Sequence, residues 1–192
     1  MKKMITAKAF CDAWRKVWNR KSEKMSSAFA VSSWGEWTKL MLTTESGFLH
    51  EVKCEIENVV SRELIYWCEE IFRTDVAFVS KGGPYFMNSY GENTMPLSVD
   101  VLIEHESQFQ TTHDEMWKLI FYRSPLKVIV TYAHPNDWKS KLEQLMGFLD
   151  LANKAFPENP DTRYLFIVGH HAGKEMRWRW ASDEQHKLQD LC

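Results

Sequence analysis

The chain has 192 residues, 44% hydrophobic and 26% charged, a balance that suits one globular domain and excludes disordered and fibrous classes. Its net charge of −2 hides an asymmetry: residues 1–25 carry eight Lys and Arg against Asp12 and Glu23, a local +6 that leaves −8 on the rest. No apolar run reaches membrane-span length, no signal-peptide core opens the chain, and the four cysteines include no Cys-x-x-Cys pair. The expectation is a cytoplasmic protein without membrane partner, disulfide framework or zinc knuckle.

Residues 5–21 carry an amphipathic helical stripe of Phe10, Trp14, Val17 and Trp18. Together with the basic charge, this defines an N-terminal helical extension over residues 1–35, followed by one α/β domain over residues 36–192. Ser26–Ser33 reads as a small-residue connection, and Trp34–Leu42 fits either helix or strand. After a break at Thr43–Gly47, the residues Leu49, Val52, Ile56 and Val59 recur at helical spacing, which sets Glu51 and Glu55 one turn apart. Residues 63–80 look extended, and Lys81–Pro96 reads as a long connection. Ser98–Glu106 is an apolar strand, His113–Arg123 a helix, and Leu126–Tyr132 a strongly apolar strand. A helix from Asn136 or Asp137 to about Phe156 follows, then a buried strand at Tyr164–Gly169 and an edge strand at Met176–Trp180. His134-Pro135 and His170-His171 read as loops. Strand, helix and strand with short links form a crossover, which predicts a mixed α/β sheet.

The chemistry concentrates on the strand at 98–106. Alternation puts Asp100, Leu102, Glu104 and Glu106 on one side and Val101, Ile103 and His105 on the other. Carboxylates at the end of an interior strand are costly unless a cation or water compensates them. If the strand that starts at Asp75 runs antiparallel to this one, Asp75 lies beside Glu104, with Glu106 two residues on. Three such acids suit Mg²⁺ or Mn²⁺ rather than zinc, and such an ion could serve attack on a phosphodiester. His105, on the opposite face, reads as a core histidine, and Asp100 as a marker of the strand entrance. In Arg177-Trp178-Arg179-Trp180 the alternation exposes the guanidiniums and buries the indoles, a pattern fit to hold phosphates or to close the core.

The order Asp75, a connection, then Glu104-x-Glu106 resembles the PD-(D/E)xK nuclease superfamily over roughly residues 45–170. The stretches Asp100–Glu106, Met116–Leu119 and Pro125–Tyr132 are similar to uncharacterised bacterial and phage-type members. The resemblance implies a restriction-endonuclease-like mixed central sheet flanked by helices, and a magnesium- or manganese-dependent endonuclease, a hydrolase acting on DNA, with RNA as the variant substrate. It implies that Asp75 and Glu104 hold the metal, joined by Glu55 or less favourably Glu51 from the preceding helix. Glu106 occupies the family's usual lysine position, and Lys118 stands in as a lysine moved onto the next helix. Arg15, Lys16, Arg20, Arg177 and Arg179 are the candidate nucleic-acid contacts, and a homodimer is expected by analogy. The competing expectation is an inactive protein- or nucleic-acid-binding module on the same fold.

Overall fold

The computed structural model describes residues 3–43, 46–68, 74–83, 85–87, 93–96, 98–108, 111–134, 136–157, 159–172, 175–183 and 185–191. Residues 44–45, the stretch 69–73 of the extended segment, parts of the connection before Pro96, Pro135 and Gly173 lie outside these.

The first helix, α1, spans Ala7–Val31, and the Thr6 hydroxyl caps it by accepting from the Ala9 N–H at 3.1 Å. It runs through the segment read as a small-residue connection. Ser26, Ser27 and Ala28 include no glycine or proline to stop a helix, and Met25 and Phe29 extend the apolar stripe by another turn. Only Ser32 and Ser33 link it to α2, Trp34–Leu42. A capping box resolves the helix-or-strand ambiguity of this segment. The Glu36 N–H donates to the Ser33 hydroxyl at 3.3 Å, and the Ser33 N–H donates to the Glu36 carboxylate at 2.8 Å. The third helix, α3, spans Phe48–Val60 and ends at Ser61 in the left-handed region, φ 52°.

Strands β1 (Leu64–Trp67), β2 (Val76–Ser80), β5 (Val101–Glu106), β6 (Leu126–Tyr132), β7 (Arg163–Ala172), β8 (Glu175–Ser182) and β9 (Gln185–Asp190) form one sheet in that spatial order. Between β2 and β5 a separate two-stranded ribbon, β3 (Tyr85–Met87) and β4 (Asn93–Pro96), occupies part of the segment read as a plain connection. The pairs β1/β2, β2/β5, β7/β8 and β8/β9 are antiparallel, while β5/β6 and β6/β7 are parallel. The parallel links are the crossover helices α4 (Thr112–Ile120) and α5 (Trp138–Ala155). The architecture is thus α/β with a mixed open sheet and, among the described residues, five α-helices. No described helix is long and apolar enough to cross a membrane.

Two apolar layers sandwich the sheet. On one side α1, α2 and α3 pack on Val76, Phe78, Val101, Ile103, Val128 and Ile167. On the other, α4 and α5 pack on Ala77, Leu102, Ile129 and Phe166. The N-terminal segment is therefore no appendage. Phe10, Trp14 and Val17 are fully buried, and the Trp14 ring meets Trp178 edge-on at 4.8 Å and Phe48 at 4.6 Å. Trp14, Trp37 and Trp178, three of the chain's nine tryptophans, are thus core.

Two strand readings need correction. His170 and His171 lie on β7 rather than on a loop, because β8 continues their pairing to Ala172. Strand β8 is internal rather than an edge, since β9 pairs along its outer side.

Gly169 on β7 is required by close approach. A Cβ there would come within 2.8 Å of Trp178 Cζ3, 2.9 Å of Met176 Cε and 3.0 Å of Tyr132 Cδ1. Gly169→Ala is expected to cost about 1–3 kcal/mol through overpacking. Urea denaturation should show a lowered midpoint with an unchanged slope.

Candidate functional site

The acids come together where β2 begins and β5 ends. The register Val76↔Ile103 continues by one residue to set Asp75 against Glu104, and the Asp75 carboxylate accepts the His105 backbone N–H at 2.8 Å. That bond fixes Asp75 on the strand edge. Glu104 points into the α4 layer and is fully buried, and among the described residues no N–H donor reaches hydrogen-bond distance of its oxygens.

Helix α4 brings the cation. Its N-terminal turn is tied to β6 by a buried hydroxyl pair, Thr112 to Thr131 at 2.9 Å, and to the loop after β5 by Thr111 donating to the Gln108 carbonyl at 3.0 Å. That docking turns Lys118 towards the strand, with Nζ 4.0 Å from Glu104 Oε1 and hydrogen-bonded to Glu115. Glu115 is thus a member of the site that the strand-based motif missed. Its signal was its place one turn before Lys118 on the same helix face.

The local electrostatics follow from burial. Burial pushes the Glu104 carboxyl up to about 10, and the charge of Asp75 adds to it, while Lys118 opposes. Burial also raises Asp75, against the pull of the His105 N–H. Burial works against the charge of Lys118, but its bond to Glu115 and the fields of Glu104 and Asp75 outweigh this, so its pKa is raised. The arrangement is an acid pair short of positive charge, served by one lysine.

Glu106 does not join the cluster. Its carboxylate accepts the Gln108 N–H at 2.7 Å and closes the turn that ends β5. The convergence of the three acids 75, 104 and 106 is therefore corrected to Asp75, Glu104 and Glu115 around Lys118. Among the described residues no three His, Cys, Asp or Glu side chains already surround a metal-sized point.

Glu55 and Glu51 are also remote from the cluster, because α3 lies on the opposite layer from α4. Glu55 pairs with Arg20 at 2.5 Å and Lys16 at 3.7 Å, and Glu51 pairs with Lys21 and with Arg20 at 3.6 Å. The metal assignment of Glu55 fails on this geometry. The same ion pairs engage two of the proposed phosphate-binding cations, Lys16 and Arg20. Arg15 is held by Asp12 at 3.1 Å and the Leu191 carbonyl at 2.9 Å. Glu51 and Glu55 of α3 thus pair with three cations of the basic arm, Lys16, Arg20 and Lys21.

Arg177 is exposed near Glu175 at 3.7 Å, and Arg179 lies 3.5 Å over the Trp138 ring. Trp178 is fully buried beneath them, in keeping with the core reading of that indole.

Asp100 serves the strand entrance: it accepts from the Ser80 N–H at 2.8 Å and pairs with Arg62 at 2.7 Å. His105 faces the other layer, where Nε2 and the Tyr132 hydroxyl are 2.7 Å apart and burial pushes its pKa down to about 4. The Trp37 indole N–H donates to the same hydroxyl at 2.5 Å.

No protein-family model matches the chain, and neither a curated protein nor a solved structure is significantly similar to it.

Proposed function

We propose that the protein is a metal-dependent nuclease of the PD-(D/E)xK kind that hydrolyses phosphodiester bonds in DNA. One observation carries the reading: Glu104 is wholly buried beside Asp75, and among the described residues no N–H donor reaches its oxygens. A carboxyl in that position is costly unless a cation completes it. Support also comes from element order. Helix α3, the antiparallel strands β1, β2 and β5, the crossover α4 and the parallel β6 follow the sequence expected of a restriction-endonuclease-like core, with the acids on its second and third strands.

The donor set fits a hard ion. Glu104 and Asp75 would hold Mg²⁺ or Mn²⁺, leaving its other positions to water and phosphate oxygens. When bound, the ion polarises a phosphoryl oxygen and acidifies a water. Lys118 stays protonated beside the acids and stabilises the negative charge that builds on the scissile phosphate. Glu115 positions Lys118 through their hydrogen bond. Glu106 holds the turn and leaves the lysine role to α4.

Conversion of supercoiled plasmid to nicked circle in Mn²⁺ tests the reading, with single-stranded RNA as the comparison substrate. Asp75→Ala should reduce nicking to background, and Lys118→Ala should slow it about 100-fold. Nicking by Asp75→Ala at the parent's rate rejects the assignment. A homodimer belongs to the same proposal, since cutting both strands calls for two such centres; sedimentation velocity reads it.

A second reading, an inactive binding module, is favoured by an exposed aromatic ridge. Trp117 and Phe121 stack at 5.5 Å and both meet Phe156, with Phe121 62% and Phe156 49% exposed. Such a patch marks a contact surface. Calorimetric titration with Mn²⁺ discriminates: no binding at millimolar metal selects this second reading.

A further inference from the structure

We propose that a cavity of about 510 Å³ at the carboxyl ends of β5, β6 and β7 binds a nucleotide. Its aromatic wall takes the base, and His134 and Lys141 at its rim take the phosphate. This site is separate from the acid cluster and does not rest on the nuclease reading.

The first argument is position. The β5–β6 and β6–β7 links both cross over through helices on one layer, so three parallel strands open their carboxyl ends into the same crevice. The volume lies within the range of clefts that hold small molecules.

The second argument is the chemistry of the walls. Phe29 from α1, Trp34 from α2 and Tyr132 from β6 line one side. Phe29 and Tyr132 lie nearly parallel at 5.7 Å, and Trp34 tilts over Tyr132 at 5.1 Å. Trp34 keeps 44% of its surface exposed despite those contacts, so the indole stands half open at the mouth. Tyr132 is held rigid, because its hydroxyl is engaged by both Trp37 and His105. It is buried, 7% exposed, and so backs Phe29 and Trp34 rather than meeting a ligand itself. One half-open indole on a rigid aromatic backing suits a flat heteroaromatic ring, since every base has a π-face.

The third argument is charge. Lys141 and His134 line the opposite side, with His171 beside Phe29 at 4.6 Å. The first turn of α5, an 18-residue helix, also faces the cavity and adds the positive end of its dipole. Asp137 is the acid among the described lining residues, and it sits at the start of that helix. A flat ring next to an anion describes a nucleotide, either free or as one unit of a single strand.

Calorimetric titration of the full chain in a metal chelator tests this with adenosine 5′-monophosphate, adenosine, inorganic phosphate and a short single-stranded oligodeoxyadenylate. The monophosphate should bind about tenfold tighter than adenosine, with phosphate alone weaker than either. Binding of the oligomer without the monophosphate assigns the site to a nucleotide within a strand. Trp34→Ala should weaken binding about tenfold or more. Lys141→Ala, at a half-buried position of the cavity lining, should erase the preference over adenosine. Glu104→Gln should bind the nucleotide as the parent does, which separates this site from the acid cluster. Absence of binding by both nucleotide and oligomer, or binding that neither variant alters, overturns the proposal.

Discussion

Replacing Glu104 by Gln should stabilise the metal-free protein at neutral pH and abolish its binding of Mn²⁺. Both effects arise from one buried carboxyl. Its folded pKa is pushed up to about 10 from an ordinary value of 4.5, first by burial and then by Asp75. Between those two values the folded state holds a proton that the unfolded state has released. Stability therefore falls as pH rises through that window, by about 1.4 kcal/mol per unit for one proton. At pH 7 the accumulated cost is on the order of 3 kcal/mol. Gln has no proton to take up on folding, so it escapes that cost, and its amide can donate to Asp75. In the presence of a chelator the variant should melt roughly 5–10 °C above the parent at pH 7, a difference that shrinks towards pH 5. Calorimetry with Mn²⁺ should find no binding to the variant, because the amide cannot supply the charge a hard divalent ion needs. A variant that melts at or below the parent at every pH, or that still binds Mn²⁺ with parental affinity, refutes the account of Glu104.

Trp14→Ala should be the most destabilising single change in the N-terminal segment, at about 3–5 kcal/mol. Trp14 is fully buried on α1 and sits between Phe48 of α3 and Trp178 of β8, so one ring joins two helices to the sheet. Truncating it leaves a cavity that the surrounding rings cannot fill without moving strand β8. The milder Trp14→Phe should cost much less, because the indole N–H has no hydrogen-bond partner among the described residues to lose. If α1 were an appended arm, Trp14→Ala would fall within the small range of surface substitutions. Equilibrium denaturation in urea separates the two pictures. Deletion of residues 1–31 should give an aggregating protein, since it bares the sheet face that α1 covers.

Much of this molecule was readable because helices and strands announce themselves by period. The stripe Leu49, Val52, Ile56 predicted α3, and the apolar runs at 126–132 and 164–169 predicted the parallel core. The pairing of Asp75 with Glu104 was also within reach, since antiparallel neighbours must oppose the start of one strand to the end of the other. The capping box of Ser33 and Glu36 was present as Ser-x-x-Glu, and could have decided α2. Glu106 misled because alternation tells which face a side chain takes, but not whether the next turn will capture its carboxylate. The Ser26–Ser33 segment misled because small residues resemble a linker, while only Gly and Pro oppose a helix strongly.

By itself, the sequence determined the class of sheet, the positions of most elements, and the local acid motif with its nearest strand partner. These depend on residues close in the chain or on one pairing rule. Tertiary structure decided the rest: Glu115 and Lys118 against Glu104, the withdrawal of Glu55 to the opposite layer, the pairing of Lys16, Arg20 and Lys21 with α3, and the meeting of Phe29, Trp34 and Tyr132. Each of these turns on helix rotation and on the layer to which a helix docks. Burial of whole apolar faces sets both, and that free energy is shared among residues far apart in the chain.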